Sequence, residues 1–397
     1  MMDLPGWLLV IPILGFLVFV HELGHFLTAK HFNIKVTEFG FGFPPRIWGI
    51  TKGETLYSIN LIPIGGFVKM VGEEDPTEER SFARKSVAVR SAVLLAGPFM
   101  NLLIPILIYT IILALPHDKI VGTVTIAGVA PQSPAKVAGM APGDAILAVN
   151  GKLIESHTDL VNEIQKHKEK PVEFAVRKSA NVTGFSSSPE FSHVENVTLV
   201  PRKSPPNLKI VEKVNDPKTE VTLKEARTYD INADVGDTLK QGSVGILIGT
   251  SNPKTVKERE PILSAIPASF GKIIQVVTYT FSGLGGWMSG GEDPGLTGPI
   301  GIAQVTGEVA KVGMFPIFEL TALISISLAI INILPIPALD GGRLAFVLIE
   351  GIRNGKKISP NVEGAIHMTG FAALIGLILL MSYFDVVRII TGQGFLQ

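Results

Sequence analysis

The chain has 397 residues, of which 46% are hydrophobic and only 18% charged. With a mean hydropathy of +0.38 it is too apolar for an ordinary water-soluble protein of this length, so a membrane protein is expected. Basic and acidic residues balance at 35 each and there is no cysteine. That excludes a global basic field for nucleic acid, disulfides and thiolate metal sites, and leaves His, Asp and Glu as the strong ligands.

The first element is an uncharged run from Leu4 to Val20 that ends in VFVHELGHFL, residues 18–27. Continued to Ala29 as a helix it has about 26 residues, enough to cross a bilayer core. Acidic Asp3, and the absence of both a basic leader region and a small-x-small site before the histidines, favour a retained span over a cleaved signal peptide. His21, Glu22 and His25 form the pattern H-E-x-x-H, and residues i and i+4 share a helix face, so two imidazoles aim at one point. Zinc bound there brings the pKa of its water to about 7, with Glu22 beside it to take the proton as the water attacks a peptide carbonyl. An idle cluster of this kind at the end of a membrane span is costly to bury, which argues against coincidence.

From Val36 to Met70 the sequence alternates and is punctuated by FGFGFPP, TKGE and IPIGG, a strand and turn signature. A small sheet is expected whose hairpin tip dips into the membrane, with the edge Ser58–Ile64 free to pair an unwound substrate strand. Further spans are expected at Ser91–Pro116, Leu320–Leu339 and Gly364–Phe384. The glycine-rich stretch Ile273–Gly291 reads as interfacial or re-entrant, giving four spans in all. Nine Lys and Arg residues fall between Lys30 and Arg90 and four between Asp340 and Glu363. Both loops are therefore expected in the cytoplasm, and the polar segment His117–Pro261 outside it. That segment carries strand-like runs (GTVTIAGV, AILAVNGKLI, VEFAVRK, VTLVPRK, GSVGILIGT), one helical run (HTDLVNEIQKH), and a turn-rich charged insertion at about residues 204–241.

A zinc hydrolase usually takes three protein ligands. Asp340, in NILPIPALDGGR after Pro335 and Pro337, stands at the same membrane boundary as the histidines. The plainer reading is a turn or helix-cap aspartate before Gly-Gly, and spacing leaves both open. His31, His117, His157, His167, His193 and His367 have no partner at ligand spacing and read as surface or interfacial residues.

Five stretches together resemble the site-2 protease family of intramembrane zinc metalloproteases, in the bacterial branch that includes the regulator of sigma-E protease. They are FVHELGHF, INLIPIGGFVKM, SFARKSVAVRSAVLLAGPFMNLL, GLTGPIGIA and NILPIPALDGGRL, in the family's order. The resemblance implies that His21, His25 and Asp340 bind zinc and that Glu22 is the general base. It also implies that Asn332, Pro335 and Pro337, with Gly65 and Gly66 of the hairpin, hold the substrate strand. The polar segment resembles a PDZ domain through APGDAILAVNG, in one recognisable copy. The expected fold is thus membrane α-helical: four transmembrane helices, a membrane-associated β-hairpin sheet and an inserted extracytoplasmic PDZ-like α+β domain. Its parts are residues 1–116, 117–261 and 262–397. The expected setting is the bacterial inner membrane, the expected partners transmembrane protein substrates such as anti-sigma factors or signal-peptide remnants, together with the lipid bilayer. The competing reading is a membrane-bound PDZ adaptor with a structural or vestigial zinc site.

Overall fold

The computed structural model describes residues 5–73, 77–179, 191–231, 233–288 and 297–391. The chain divides into two compact units, Met1–Pro116 with Arg259–Gln397, and His117–Glu258.

The first unit begins with helix α1 (Gly6–His31). It ends where Asn33 enters the left-handed region at φ 53° while the Ile34 N–H returns to the Ala29 carbonyl, a common way to close a helix. Strands β1 (Val36–Lys52) and β2 (Thr55–Met70) follow, joined through Gly53 and Glu54. Both strands fold back on themselves, so Phe39 has Tyr57 on one side and Val68 on the other. Thr55, Ser58 and Asn60 are buried, and their side chains donate to the Val36 carbonyl, the Glu38 carboxylate and the Gly42 carbonyl. Helix α2 (Val87–Ala114) opens on Ser86, whose hydroxyl accepts from the Val89 N–H. It packs along α1 and closes a core of Phe26, Ile34, Val36, Phe39 and Val93.

The second unit contains β3 (His117–Val129), α3 (Pro134–Val137), β4 (Ala145–Val149), β5 (Lys152–Leu153), α4 (His157–Lys166), β6 (Val172–Ser179) and β7 (Phe191–Leu199). It continues with β8 (Leu208–Val211), β9 (Glu220–Thr222), α5 (Leu223–Ala226), β10 (Thr238–Leu239) and β11 (Ile246–Glu258). The main sheet runs in the order β11-β3-β4-β6-β7 with β5 beside β4, over a core that includes Ile126, Ile146, Leu160 and Phe174. The stretch read from sequence as a turn-rich insertion has its own small sheet, β10-β8-β9. Leu208, Ile210, Val221 and Leu239 give it a core of its own.

The chain returns to the first unit with α6 (Ile262–Met288), α7 (Pro299–Val312), α8 (Met314–Ile333), α9 (Asp340–Ile352) and α10 (Pro360–Thr391). Two expectations change. The third span begins and ends earlier than Leu320–Leu339: Pro335 and Pro337 have no N–H to continue a helix, so α8 stops at Ile333 and residues 334–339 form a turn. The segment Ile273–Gly291, expected to be interfacial or re-entrant, belongs to a continuous 27-residue helix that starts at Ile262. Among the described residues, α1, α2, α6, α8 and α10 are each long and apolar enough to cross a bilayer. The protein is a multi-pass membrane protein with associated sheets.

Polar contacts fix the helix packing. Arg90 of α2 donates to Glu350 of α9 at 2.6 Å, with both side chains largely buried. In α10 the one described residue that is buried is Asp385. Its carboxylate accepts from the N–H groups of Gly298 and Gly301 at the start of α7.

Candidate metal centre

On α1 the HExxH spacing stacks the two imidazoles on one face, 4.8 Å apart by ring centroid, and both side chains are buried. Their Nε2 atoms stand 3.1 Å apart. Asp340, the first residue of α9, brings its Oδ2 to 2.9 Å from His21 Nε2 and 3.2 Å from His25 Nε2. The turn that delivers Asp340 is compressed: side chains at Gly341 or Gly342 would collide with the carbonyls of Ile333, Leu334 and Ile336. Among the described residues this is the one cluster of three such ligands.

The outer nitrogens fix what the inner ones can do. His25 Nδ1–H donates to the Val93 carbonyl at 2.8 Å, so its Nε2 carries a lone pair. His21 Nδ1 lies 3.3 Å from the Asn101 amide, whose Oδ1 is buried without a hydrogen bond. Turning that amide over lets Oδ1 accept from His21 Nδ1–H, which satisfies the orphaned oxygen and exposes a lone pair on His21 Nε2 as well. Two lone pairs and a carboxylate oxygen then face one another at about 3 Å, an arrangement that repels itself unless a cation lies among them. Tetrahedral zinc with bonds of about 2.0–2.1 Å separates its ligands by roughly 3.3 Å, so the donor set fits zinc.

Glu22 is half-buried on the adjoining face of α1, and the Val68 N–H of β2 reaches its carboxylate. Gly66 packs against it, since a Cβ there would sit 3.4 Å from Glu22 Cγ. Gly65 takes φ +93°, lodged under the Phe43 ring. The expected edge Ser58–Ile64 is closed at its start, where Ser58 and Ile59 have strands on both sides. Ser58 pairs with Gly40 and Gly49, and Ile62 with Phe43, because the strands fold back. Beside Glu22, Gly66–Met70 has one strand partner, the start of β1, and side chains take N–H groups on its other side, Glu22 that of Val68 and Glu73 that of Met70. Pro337 lies in the turn before Asp340, against Gly370 of α10. Pro335 is exposed in the same turn. Asn332 is not drawn into the cluster: its amide donates to the Leu328 carbonyl of its own helix.

Sequence reasoning missed Val93, Gly97 and Asn101, which fall four residues apart on one face of α2. A side chain at Gly97 would collide with Nε2 of both histidines. The signal was there, in an asparagine placed inside an apolar span. It also missed His367, whose Nδ1 accepts from the Ala338 N–H at 2.8 Å.

The profile of Peptidase family M50 matches residues 9–377. Over 463 aligned residues the chain is 28% identical to the zinc metalloprotease RasP of Geobacillus kaustophilus, covering 95% of this chain and 97% of that one. It is likewise 28% identical over 468 residues to the regulator of sigma-W protease RasP of Bacillus subtilis, covering 96% and 97%. A cluster of His21, His25 and Asp340 that could hold a metal ion and a match across nearly the whole chain agree, and this chain belongs to peptidase family M50, the site-2 family of zinc metalloproteases.

Proposed function

We propose that the protein hydrolyses peptide bonds in or near the transmembrane segments of single-span membrane proteins, with His21, His25 and Asp340 holding zinc and Glu22 acting as general base. The observation that carries this is the convergence of His21 Nε2, His25 Nε2 and Asp340 Oδ2 beside Glu22 and a strand segment with no second strand partner. Zinc supplies Lewis acidity, polarising the scissile carbonyl and acidifying the attacking water. Glu22 takes the proton of that water and returns it to the leaving amide nitrogen. A substrate helix must unwind before its carbonyl is exposed, and its freed backbone groups each cost several kcal/mol in hydrocarbon unless paired. Gly66–Met70 offers them a strand, with Gly65 and Gly66 keeping that edge free of bulky side chains. Pro335 and Pro337, in the turn before Asp340, and Asn332, near the end of α8, would hold the strand from the Asp340 side.

The apolar hairpin residues Phe43, Ile47, Trp48, Leu61 and Ile62 are exposed, which suits a tip placed in lipid. We assign four crossings, α1, α2, α8 and α10, with α6 oblique and returning to the side it came from. Between Glu260 and Ser269 the chain advances nine residues while its α2 partners retreat three, from Leu113 to Thr110. The 14-residue α7 that follows is too short to recross, and it packs near Gly6, at the end of α1 remote from His25. The excess of Lys and Arg beside the site supports a cytoplasmic position for this end and an outside position for the PDZ-like unit, residues 117–258, in a bacterial inner membrane. The Bacillus subtilis relative's name as a sigma-W regulator supports substrates of the anti-sigma-factor type, with signal-peptide remnants as a second class.

The test is Glu22→Gln, which keeps shape but cannot take the proton. General-base catalysis is worth about 10²–10⁴ in rate, so the purified variant should keep zinc and substrate association and lose cleavage of a single-span substrate in liposomes. Undiminished cleavage would remove Glu22 as the general base. No cleavage by the wild-type chain would return the PDZ adaptor reading, against which the presence of Glu22 and a three-ligand site argue, because a closed structural zinc needs a fourth ligand.

A further inference from the structure

The turn between α8 and α9 has four backbone N–H groups in residues 334–339, because Pro335 and Pro337 have none. Three are satisfied nearby: Leu334 donates to the Ile330 carbonyl, Ile336 to Leu334, and Leu339 to Ile336. The fourth, on Ala338, leaves the turn altogether and donates to His367 Nδ1 on α10 at 2.8 Å. Ala338 holds φ +76°, a region that a residue with a Cβ adopts only when its surroundings enforce it. It is two residues from Asp340, so its backbone sets the direction in which that carboxylate leaves the turn. The rest of the contact is close as well. The His367 ring lies 5.4 Å from that of Phe346, and Gly370, one turn along, approaches Pro337 so tightly that a side chain there would collide with it. His367 Nε2 faces Glu363 at 3.9 Å, which suits a neutral imidazole with its proton on Nε2 and a lone pair on Nδ1.

We infer that His367 is a positioning residue for the metal centre: by accepting the Ala338 N–H it locks the left-handed turn that aims Asp340 at His21 and His25. This rests on the reading of Asp340 as a zinc ligand. It also gives α10, which is otherwise almost wholly exposed, a direct hold on the site. A shift of α10 is felt at the Asp340 carboxylate through one hydrogen bond and one glycine contact.

The experiment measures zinc affinity by chelator competition, and the visible bands of the cobalt(II) form, on the full-length chain in detergent. His367→Phe keeps the ring against Phe346 but has no acceptor. His367→Asn places an oxygen where Nδ1 stands, and His367→Gln places one where Nε2 stands. Loss of a partner that orients a ligand typically costs about 10–100-fold in metal affinity. His367→Phe should therefore bind zinc that much more weakly and show altered cobalt bands, His367→Asn should recover most of the loss, and His367→Gln should not. If His367→Phe fails to fold, the Asn and Gln pair decides alone. Wild-type zinc affinity in His367→Phe, or equal affinities for Asn and Gln whatever their thermal stability, overturns the inference. Asp340→Ala run alongside separates the two levels. Zinc retained there removes the ligand reading itself, whereas zinc lost there but not in His367→Phe removes only the role of His367.

Discussion

Gly97 of α2 stands directly against the imidazole of His25 on α1, so that a methyl group there would overlap Nε2 of both site histidines. The absent side chain leaves the room that a cation would need in the proposed site. Gly97→Ala either forces the helices apart, a strain of about 1–3 kcal/mol for such overpacking, or fills the space where zinc would sit. The chain should still fold in the membrane, while metal analysis finds it largely without zinc. A full zinc complement in purified Gly97→Ala would show that the ion lies elsewhere.

Asn101 is expected to matter through His21 alone. Replacing it with Leu removes the acceptor for His21 Nδ1–H and should weaken zinc binding by about 10–100-fold. Asn101→Asp keeps an acceptor and should stay close to wild type. Its backbone carbonyl, which accepts from Ser325 on α8, is unchanged in either variant, so helix packing is a constant of the comparison. Chelator competition that ranks Asp with Leu would remove Asn101 from the site.

What the sequence reveals and what it hides follow from how local each feature is. His21 and His25 were legible because four residues on a helix is a local geometry, and the sheet between α1 and α2 because alternation and glycine turns are local too. Asp340 could be placed at the right boundary, but its approach to Oδ2–Nε2 contact depends on the Leu334–Leu339 turn, whose shape comes from distant partners. His367 was dismissed for want of a partner at ligand spacing. Its partner is a backbone N–H, which no pattern of side chains announces. Alternation points to Ser58–Ile64 as the edge beside the site, but the segment with a single strand partner next to Glu22 is Gly66–Met70, for a similar reason. Strands that fold back pair twice, and the second pairing leaves no mark in the alternation. The uncharged stretch begins only at Ile273, after Lys272, whereas α6 begins at Ile262. Lys272 lies over the Tyr109 ring and near Glu319, so the helix runs through it.

Glu54 gives the hairpin a pH dependence. Hydrogen bonds from Arg80, and then from Lys30 at the end of α1, hold its carboxyl at about 2 against an ordinary 4.5. A depressed folded pKa stabilises above the ordinary value and stops doing so as the group protonates. The tie between the β1–β2 turn and α1 should therefore be intact above about pH 4.5 and be lost from there down toward 2. Hydrogen exchange of the turn amides across that range should rise in the wild type, and Glu54→Gln should exchange fast throughout with no step. A step that survives in Glu54→Gln would assign it to another group.

Asp385 offers the sharpest test of how α10 is held. Its carboxylate is fully buried and accepts from Gly298 and Gly301, 3.2 and 2.8 Å away, at the end of α7 where unpaired N–H groups and the helix dipole favour negative charge. A side chain at Gly298 would run into this carboxylate, so the two helices meet closely there. Removing the acceptor leaves two donors unsatisfied in a place without water, at about 1–3 kcal/mol for each buried group left unpaired. Asp385→Ala should therefore free the first turn of α7, seen as faster exchange at Gly301 and Ile302 in nanodiscs. Zinc affinity should stay close to wild type, because His367 still holds the Asp340 turn at the other end of α10. Asp385→Asn, which keeps one acceptor oxygen but no charge, should fall between the two. Unchanged exchange at α7 in Asp385→Ala would mean that packing against α1 and α8, and not this carboxylate, fixes α7 in place.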